Sequence, residues 1–142
     1  MMIIQTYLPT IDYDDEEVEK LYDQLEAILG KQKGIDNVNI MGDYNAVVGE
    51  GRENRVVEKF GLGKRNDRGK RLIEFCKSQH LVITNTWYEQ KQRRRYTWKS
   101  LVDLRRYQID YILVRHRYQN SVKSSWCRCR LGPQPSGYAV EA

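Results

Sequence analysis

The sequence predicts a mixed α/β domain, with strands and helices alternating along the chain. Three observations carry this reading. The runs Asn37 to Ile40 and Gln108 to Val114 have the period-two alternation of strands. The runs Asp14 to Leu29 and Arg68 to Gln79 place their apolar residues on one helical face. The Asn37 strand runs into Gly42-Asp43-Tyr44-Asn45, which sets polar groups at a strand end, where the sites of open sheets gather. At 142 residues the chain is long enough for one domain with a real core.

Met1 to Leu8 reads as an apolar strand stopped by Pro9. Strands this apolar lie inside sheets, so the chain is expected to start within a domain. The pattern turns helical at Asp14. Asp14 and Asp15 suit a helix start, where acids match the dipole and cap free N–H groups. Val18, Leu21, Tyr22, Leu25, Ile28 and Leu29 form the apolar face, and Gly30 and Gly34 are expected to end the helix. In the next strand Val38 and Ile40 alternate with Asn37 and Asn39. Asp43, just beyond, can accept a proton or hold a cation. Asn45 can fix a phosphate oxygen or a water without adding a second negative charge. Gly-Asp-x-Asn is also a plain turn, in which Asp and Asn bond their own backbone.

Val47 to Asn66 carries Gly49, Gly51, Gly61, Gly63 and many charges, and reads as a functional or mobile loop. Asp67 is expected to cap the helix Arg68 to Gln79, with Leu72, Phe75, Cys76 and Gln79 on its inner face. Leu81 to Thr84 is a short strand. Trp87, Tyr88, Arg93, Arg94, Arg95, Tyr96 and Trp98 then alternate rings and cations, a combination able to stack on bases and pair with phosphates. The same residues fit a strand with Tyr96 and Trp98 buried after a solvated basic turn, and Lys91 to Arg95 fits a nuclear-import patch. In Gln108 to Val114, Ile109, Tyr111 and Leu113 point one way; Asp110, Ile112 and Val114 point the other. Asp110 is then an acid among apolar neighbours, needing a histidine or arginine partner, or else it faces water from an edge strand. Trp126 to Ala142, with Cys127-Arg128-Cys129, Pro133 and Pro135, lacks periodicity and reads as an irregular tail. Cys-x-Cys without a second ligand pair is a poor zinc signal.

Composition sets the partners. Lys plus Arg is 24 against 19 for Asp plus Glu, a net charge of +5. Asp12 to Glu26 is acidic and Arg93 to Arg130 basic, so one positive face is expected, suited to a polyanion. A mean hydropathy of -0.74 with 30% charged residues, and no apolar run near a membrane span, point away from a membrane protein. No secretory signal opens the chain. Cys76, Cys127 and Cys129 form no disulfide framework, so the expected setting is intracellular, nuclear or cytoplasmic.

Tyr7-Leu8-Pro9, Gly42-Asp43-Tyr44-Asn45, Arg68-Gly69 and Ile109-Asp110-Tyr111-Ile112-Leu113 occur in an order that resembles the C-terminal half of an endonuclease/exonuclease/phosphatase domain of the exonuclease III/apurinic type. The resemblance is closest to the apurinic-like endonucleases of RTE/BovB-type retrotransposons, a domain that the craniofacial development protein 2-like family also carries. Asn85-Thr86-Trp87 and Tyr96-Thr97-Trp98 are similar too. The resemblance implies a partial four-layer α/β sandwich over residues 1–125, lacking the N-terminal half and last strand, and a divergent tail over residues 126–142. It implies Mg²⁺-dependent hydrolysis of DNA phosphodiesters by water. Asp43 would activate the water or handle protons, within an incomplete metal site. Asn45 would orient the water and hold phosphate, Tyr7 would contact the phosphate, and Asp110 would orient a catalytic histidine. Arg94, Arg95 and Trp98 would contact DNA.

The departures shape the functional expectation. The family's metal-binding Asn and Glu have no counterpart in this sequence, nor has its closing Ser-Asp-His. His80 follows the second helix and His116 follows the Asp110 strand, so His116 is the candidate stand-in should a site form without the family histidine. Ser100-Leu101-Val102-Asp103 stands where the family has Ser-Pro-Asp-Gly. Back-translation of Trp126 to Ala142 with chosen synonymous codons, shifted by one base, permits Gly-Ala-Asp and Asp-His stretches like the family's ending, which suggests a frameshift. The expected identity is a fragment of a DNA endonuclease of retrotransposon origin, inactive by itself. The alternatives are a non-catalytic nucleic-acid-binding remnant or a phosphatase of the same fold. Half a sandwich would also expose apolar sheet surface and open edges, inviting a partner or aggregation.

Overall fold

The computed structural model describes residues 1–10, 12–32, 37–99, 105–127, 130–131 and 138–141, with side chains up to residue 123. Gly34, Ser100-Leu101-Val102-Asp103, Arg128 and Cys129 lie outside the described residues.

The centre is a four-stranded sheet of β1 (Met2–Tyr7), β2 (Val38–Asp43), β3 (Leu81–Ile83) and β6 (Asp110–Arg115), in the order β1-β2-β6-β3. β1 and β2 are parallel, and β6 runs antiparallel to both β2 and β3. α1 (Asp15–Gly30) makes the β1-to-β2 crossover, as a parallel pair requires. Asp14 caps it, accepting from the Glu16 N–H at 3.4 Å. Val18, Tyr22, Leu25 and Leu29 are buried as the spacing predicts, while Ile28 is exposed. Gly30 is the last helical residue.

α2 (Asp67–Gln79) packs beside α1. Its cap corrects the sequence expectation: Asn66 does the capping, not Asp67. Asn66 Oδ1 accepts from Gly69 N–H at 2.8 Å and from Val47 N–H at 3.1 Å, so one oxygen closes the helix start and anchors the preceding loop. Asp67 is solvent-exposed and paired with Lys70 at 3.3 Å. Gly69 allows the approach, because a Cβ there would lie 1.9 Å from Val47 O. Arg65 ties down the 47–66 loop. Its Nε donates to Val48 O, its Nη2 to Gly51 O, and its Nη1 pairs with Glu53.

The two helices cover one sheet face. Tyr22, Leu25, Leu72, Phe75 and Cys76 meet Val38, Ile40, Ile83, Tyr111 and Leu113 in a single core. The other face holds a smaller cluster of Val82, Ile112, Val114 and Val122, with Met41, Trp87, Tyr88 and Tyr118 around it. Beyond the sheet, α3 (Gln92–Arg95) is one helical turn. β4 (Trp98–Lys99) pairs antiparallel with β5 (Arg106–Tyr107). Of the tail read as irregular, part is extended: β7 (Ser124–Cys127) pairs antiparallel with β9 (Tyr138–Glu141), and β8 (Arg130–Leu131) runs parallel to β4. Backbone pairing needs no side-chain periodicity, and strands of two to four residues are too short to show any.

Candidate active site

Cross-strand register assembles the site. Tyr7 lies opposite Asp43 in the β1–β2 pair, and Asp43 lies opposite Asp110 in the β2–β6 pair. Residues directly opposite share a sheet face, so the three form one row across three strands. That face is the one away from α1 and α2. Tyr7 is 63% exposed at the edge, while Asp43 and Asp110 are 3% and 0% exposed. The two carboxylates are therefore buried neighbours. At ~5 Å and an effective dielectric of ~20, two ionised carboxylates repel by roughly 3 kcal/mol. Such a pair attracts positive charge, from a cation or an imidazolium.

Gly42 brings this row together. Its φ is +157°, and a Cβ there would sit 1.8 Å from Thr6 O on β1. A side chain would wedge β1 off β2 just below Tyr7 and Asp43.

After Asp43 the chain turns in the Asx manner, so the plain-turn reading describes the local geometry. Asp43 Oδ1 accepts from Asn45 N–H at 2.9 Å. Asn45 takes the left-handed conformation at φ +45°, which Asn tolerates. Its Nδ2 donates to Leu8 O at 2.6 Å, and Leu8 N–H donates to Asp43 O at 2.8 Å. Tyr7-Leu8-Pro9 and Gly42-Asp43-Tyr44-Asn45 thus form one hydrogen-bonded unit. This fixes Asn45 at the rim of the row.

Asp110 is positioned by a residue that sequence reasoning passed over. Thr97 Oγ1 accepts from both Ile109 N–H and Asp110 N–H, at 3.0 and 3.1 Å. Thr97 is fully buried, whereas Tyr96 and Trp98, expected inside, are half-buried. The signal was Thr97's place at the centre of Tyr-Thr-Trp. Asn85 has the same kind of role, its Oδ1 accepting from Ile112 N–H at 2.8 Å.

The aromatic–basic segment is only partly drawn in. Thr97 places Trp98 next to the start of β6, and the Trp98 ring lies 5.7 Å from Tyr107. Arg106 stacks over Tyr96 at 4.8 Å. Arg94 is exposed on α3. Arg95 is held within its own turn, its Nε donating to Gln90 O and its guanidinium 6.0 Å from the Phe60 ring.

Neither described histidine serves the row. His116 follows Arg115 at the far end of β6, about 20 Å from Asp110 at ~3.3 Å per residue. It donates its backbone N–H to His80 O at 2.8 Å, so both histidines lie at that far end. This separation leaves His116 no part in the row as a stand-in for the family histidine. The carboxylate pair has the right chemistry for Mg²⁺, but among the described residues no group of three His, Cys, Asp or Glu converges. The set falls short of a metal centre.

The comparisons fit this architecture. No family model matches the sequence. The chain is similar to craniofacial development protein 2 of Bos taurus, with 44% identity over 128 residues, and to that of Tragulus javanicus, with 41% over 128 residues. Both alignments cover 90% of this chain but 22% of the relative, so the chain spans about a fifth of those proteins. Among solved structures it resembles the endonuclease domain of TRAS1, a telomere-specific non-LTR retrotransposon. The TM-score is 0.52 with 16% identity, covering 76% of this chain and 43% of that one. The fold is α/β of the endonuclease/exonuclease/phosphatase type. Among the described residues no helix is long and apolar enough to cross a membrane.

Proposed function

We propose that this chain is part of a DNA phosphodiester-hydrolysing domain of retrotransposon origin, and that by itself it does not turn over. The observation that carries the reading is the register row of Tyr7, Asp43 and Asp110, with Asn45 bonded to its rim. A phosphoryl group lying over the row would meet the Tyr7 hydroxyl as a donor and Asp43 as a base for an attacking water. Asp110 would orient an imidazolium or other cation. Inactivity follows from what the row lacks: no imidazole lies near it among the described residues, and Mg²⁺ dependence would need donors beyond them. Losing such groups costs orders of magnitude in rate. The test is nicking of supercoiled plasmid by the folded chain with Mg²⁺, beside Asp43→Ala and EDTA controls. Nicking no faster than the Asp43→Ala background is expected. Nicking that both controls abolish would overturn the inactivity.

A second reading, nucleic-acid binding without cleavage, is favoured by the Tyr96–Arg106 stack and the exposed cations of α3. It predicts DNA affinity that falls steeply with salt. The phosphatase alternative has no observation of its own in the site.

A further inference from the structure

The far end of β6 carries a second cluster, unconnected with the carboxylate row. Where α2 ends, a cleft of ≈ 220 Å³ opens between Arg55, Lys77, His80 and His116, floored by Cys76 and Leu81. That is room for several waters or for a hydrated oxyanion.

The charges facing it are nearly all of one sign. Arg55 comes from the 47–66 loop, Lys77 from α2, His80 from its cap and His116 from the end of β6. The one acid in contact with the group is Glu53, paired with Lys77 at 3.2 Å. Burial pushes the Cys76 thiol far up, so it stays neutral and adds no negative charge. Among the described residues the side chains of Arg55, His80 and His116 make no hydrogen bond or ion pair with the protein, although all three converge with Lys77 on a single cleft.

The backbone here is held in uncommon conformations. Among the described residues four non-glycine positions have positive φ, and three of them, Asn54, Arg55 and His80, line this cleft. His80 has an ordinary reason, since it closes α2. Arg55 does not: at φ +61° it occupies a turn position that favours glycine or asparagine. His80 is also locked from both sides, its N–H donating to the last carbonyls of α2 and its C=O accepting from His116 N–H. The backbone of the two histidines is thereby joined, and both side chains line the cleft.

We propose that this cleft is a binding site for a phosphoryl group, held by Arg55, Lys77, His80 and His116. Arg and Lys supply permanent charge, and the imidazole N–H groups can donate to phosphoryl oxygens. The site lies about 20 Å from Asp110 along β6, so it stands or falls independently of the plasmid-nicking result.

The test is a titration of the full chain at neutral pH with inorganic phosphate and with sulfate. Backbone and imidazole NMR signals are followed against chloride of equal ionic strength. Saturable shifts confined to residues 54–56, 76–81 and 115–117 are expected with both anions. Arg55→Gln with His80→Gln should abolish saturation without moving the signals of Asp43 and Asp110. Shifts that stay linear in anion, or that chloride reproduces, would overturn the proposal. They can be read on the unmodified chain even if the double variant misfolds. A short oligonucleotide that displaces phosphate would identify nucleic-acid backbone as the source, and one that does not would identify a small phosphorylated molecule.

Discussion

The two faces of the central sheet contrast. On the face under α1 and α2, Val38, Ile40, Tyr111 and Leu113 are all buried, and the Phe75 ring rests 4.9 Å from Tyr22. On the opposite face only the half near β3 is covered. Ile112, Val114 and Val82 are buried there, but towards the β1 edge Ile3 is 58% exposed and Tyr7 63%. The candidate site straddles that boundary: Asp110 is on the covered side, Tyr7 on the open side, and Asp43 between. The lesson is that one face stores the stability while the other, incompletely covered, carries the candidate site.

The largest expected effect breaks the covered face. Phe75→Ala removes a fully buried ring and should cost roughly 4 kcal/mol in urea unfolding. Thr97→Val comes next. It removes the acceptor of two N–H groups at the start of β6, costing roughly 2–3 kcal/mol. Its distinguishing readout is faster amide exchange at Ile109 and Asp110, with exchange in α2 kept relative to global stability. Ile3→Thr, on the open face, should change stability by less than ~0.5 kcal/mol. A cost as large as that of Thr97→Val would mean that this face is covered in solution, and the contrast would fail.

The smallest effect lies at the rim of the helical face, where Arg71 pairs with Glu19 through two hydrogen bonds of 2.6 and 2.8 Å. The bond from Arg71 holds the Glu19 carboxyl below its ordinary value, against a small opposing effect of burial and with help from the Arg71 charge. A lowered folded value means the stabilisation is present above the unfolded value near 4.5 and disappears as pH falls through the folded one. Glu19→Gln should therefore flatten the acid limb of the stability curve slightly, lowering stability a little at neutral pH and leaving it unchanged below the folded value.

The helices and the long strands were legible because amphipathic spacing is written in single residues. Val18, Tyr22, Leu25 and Leu29 could be placed inside from their spacing alone. Asp43 and Asp110 were legible as candidates, but not as neighbours, since their proximity depends on a register between residues 67 positions apart. The roles of Thr97 and Asn66 were hidden because a hydroxyl or amide serving a distant N–H leaves no periodic trace. The paired strands of the tail escaped for the same reason: they are joined by backbone groups that every sequence shares.

The chain order of the sheet has a consequence during synthesis. β6 sits between β2 and β3, yet it is made after both. Until it emerges, β2 and β3 have no common neighbour, and the core beneath α1 and α2 has no middle. Ile83 to Arg115 takes roughly 2–6 s to translate at ~5–20 residues per second. For that interval the nascent chain carries two finished helices and an open sheet edge, the state in which chaperones engage and strands from other chains add. A transcript ending before residue 110 would yield only that state.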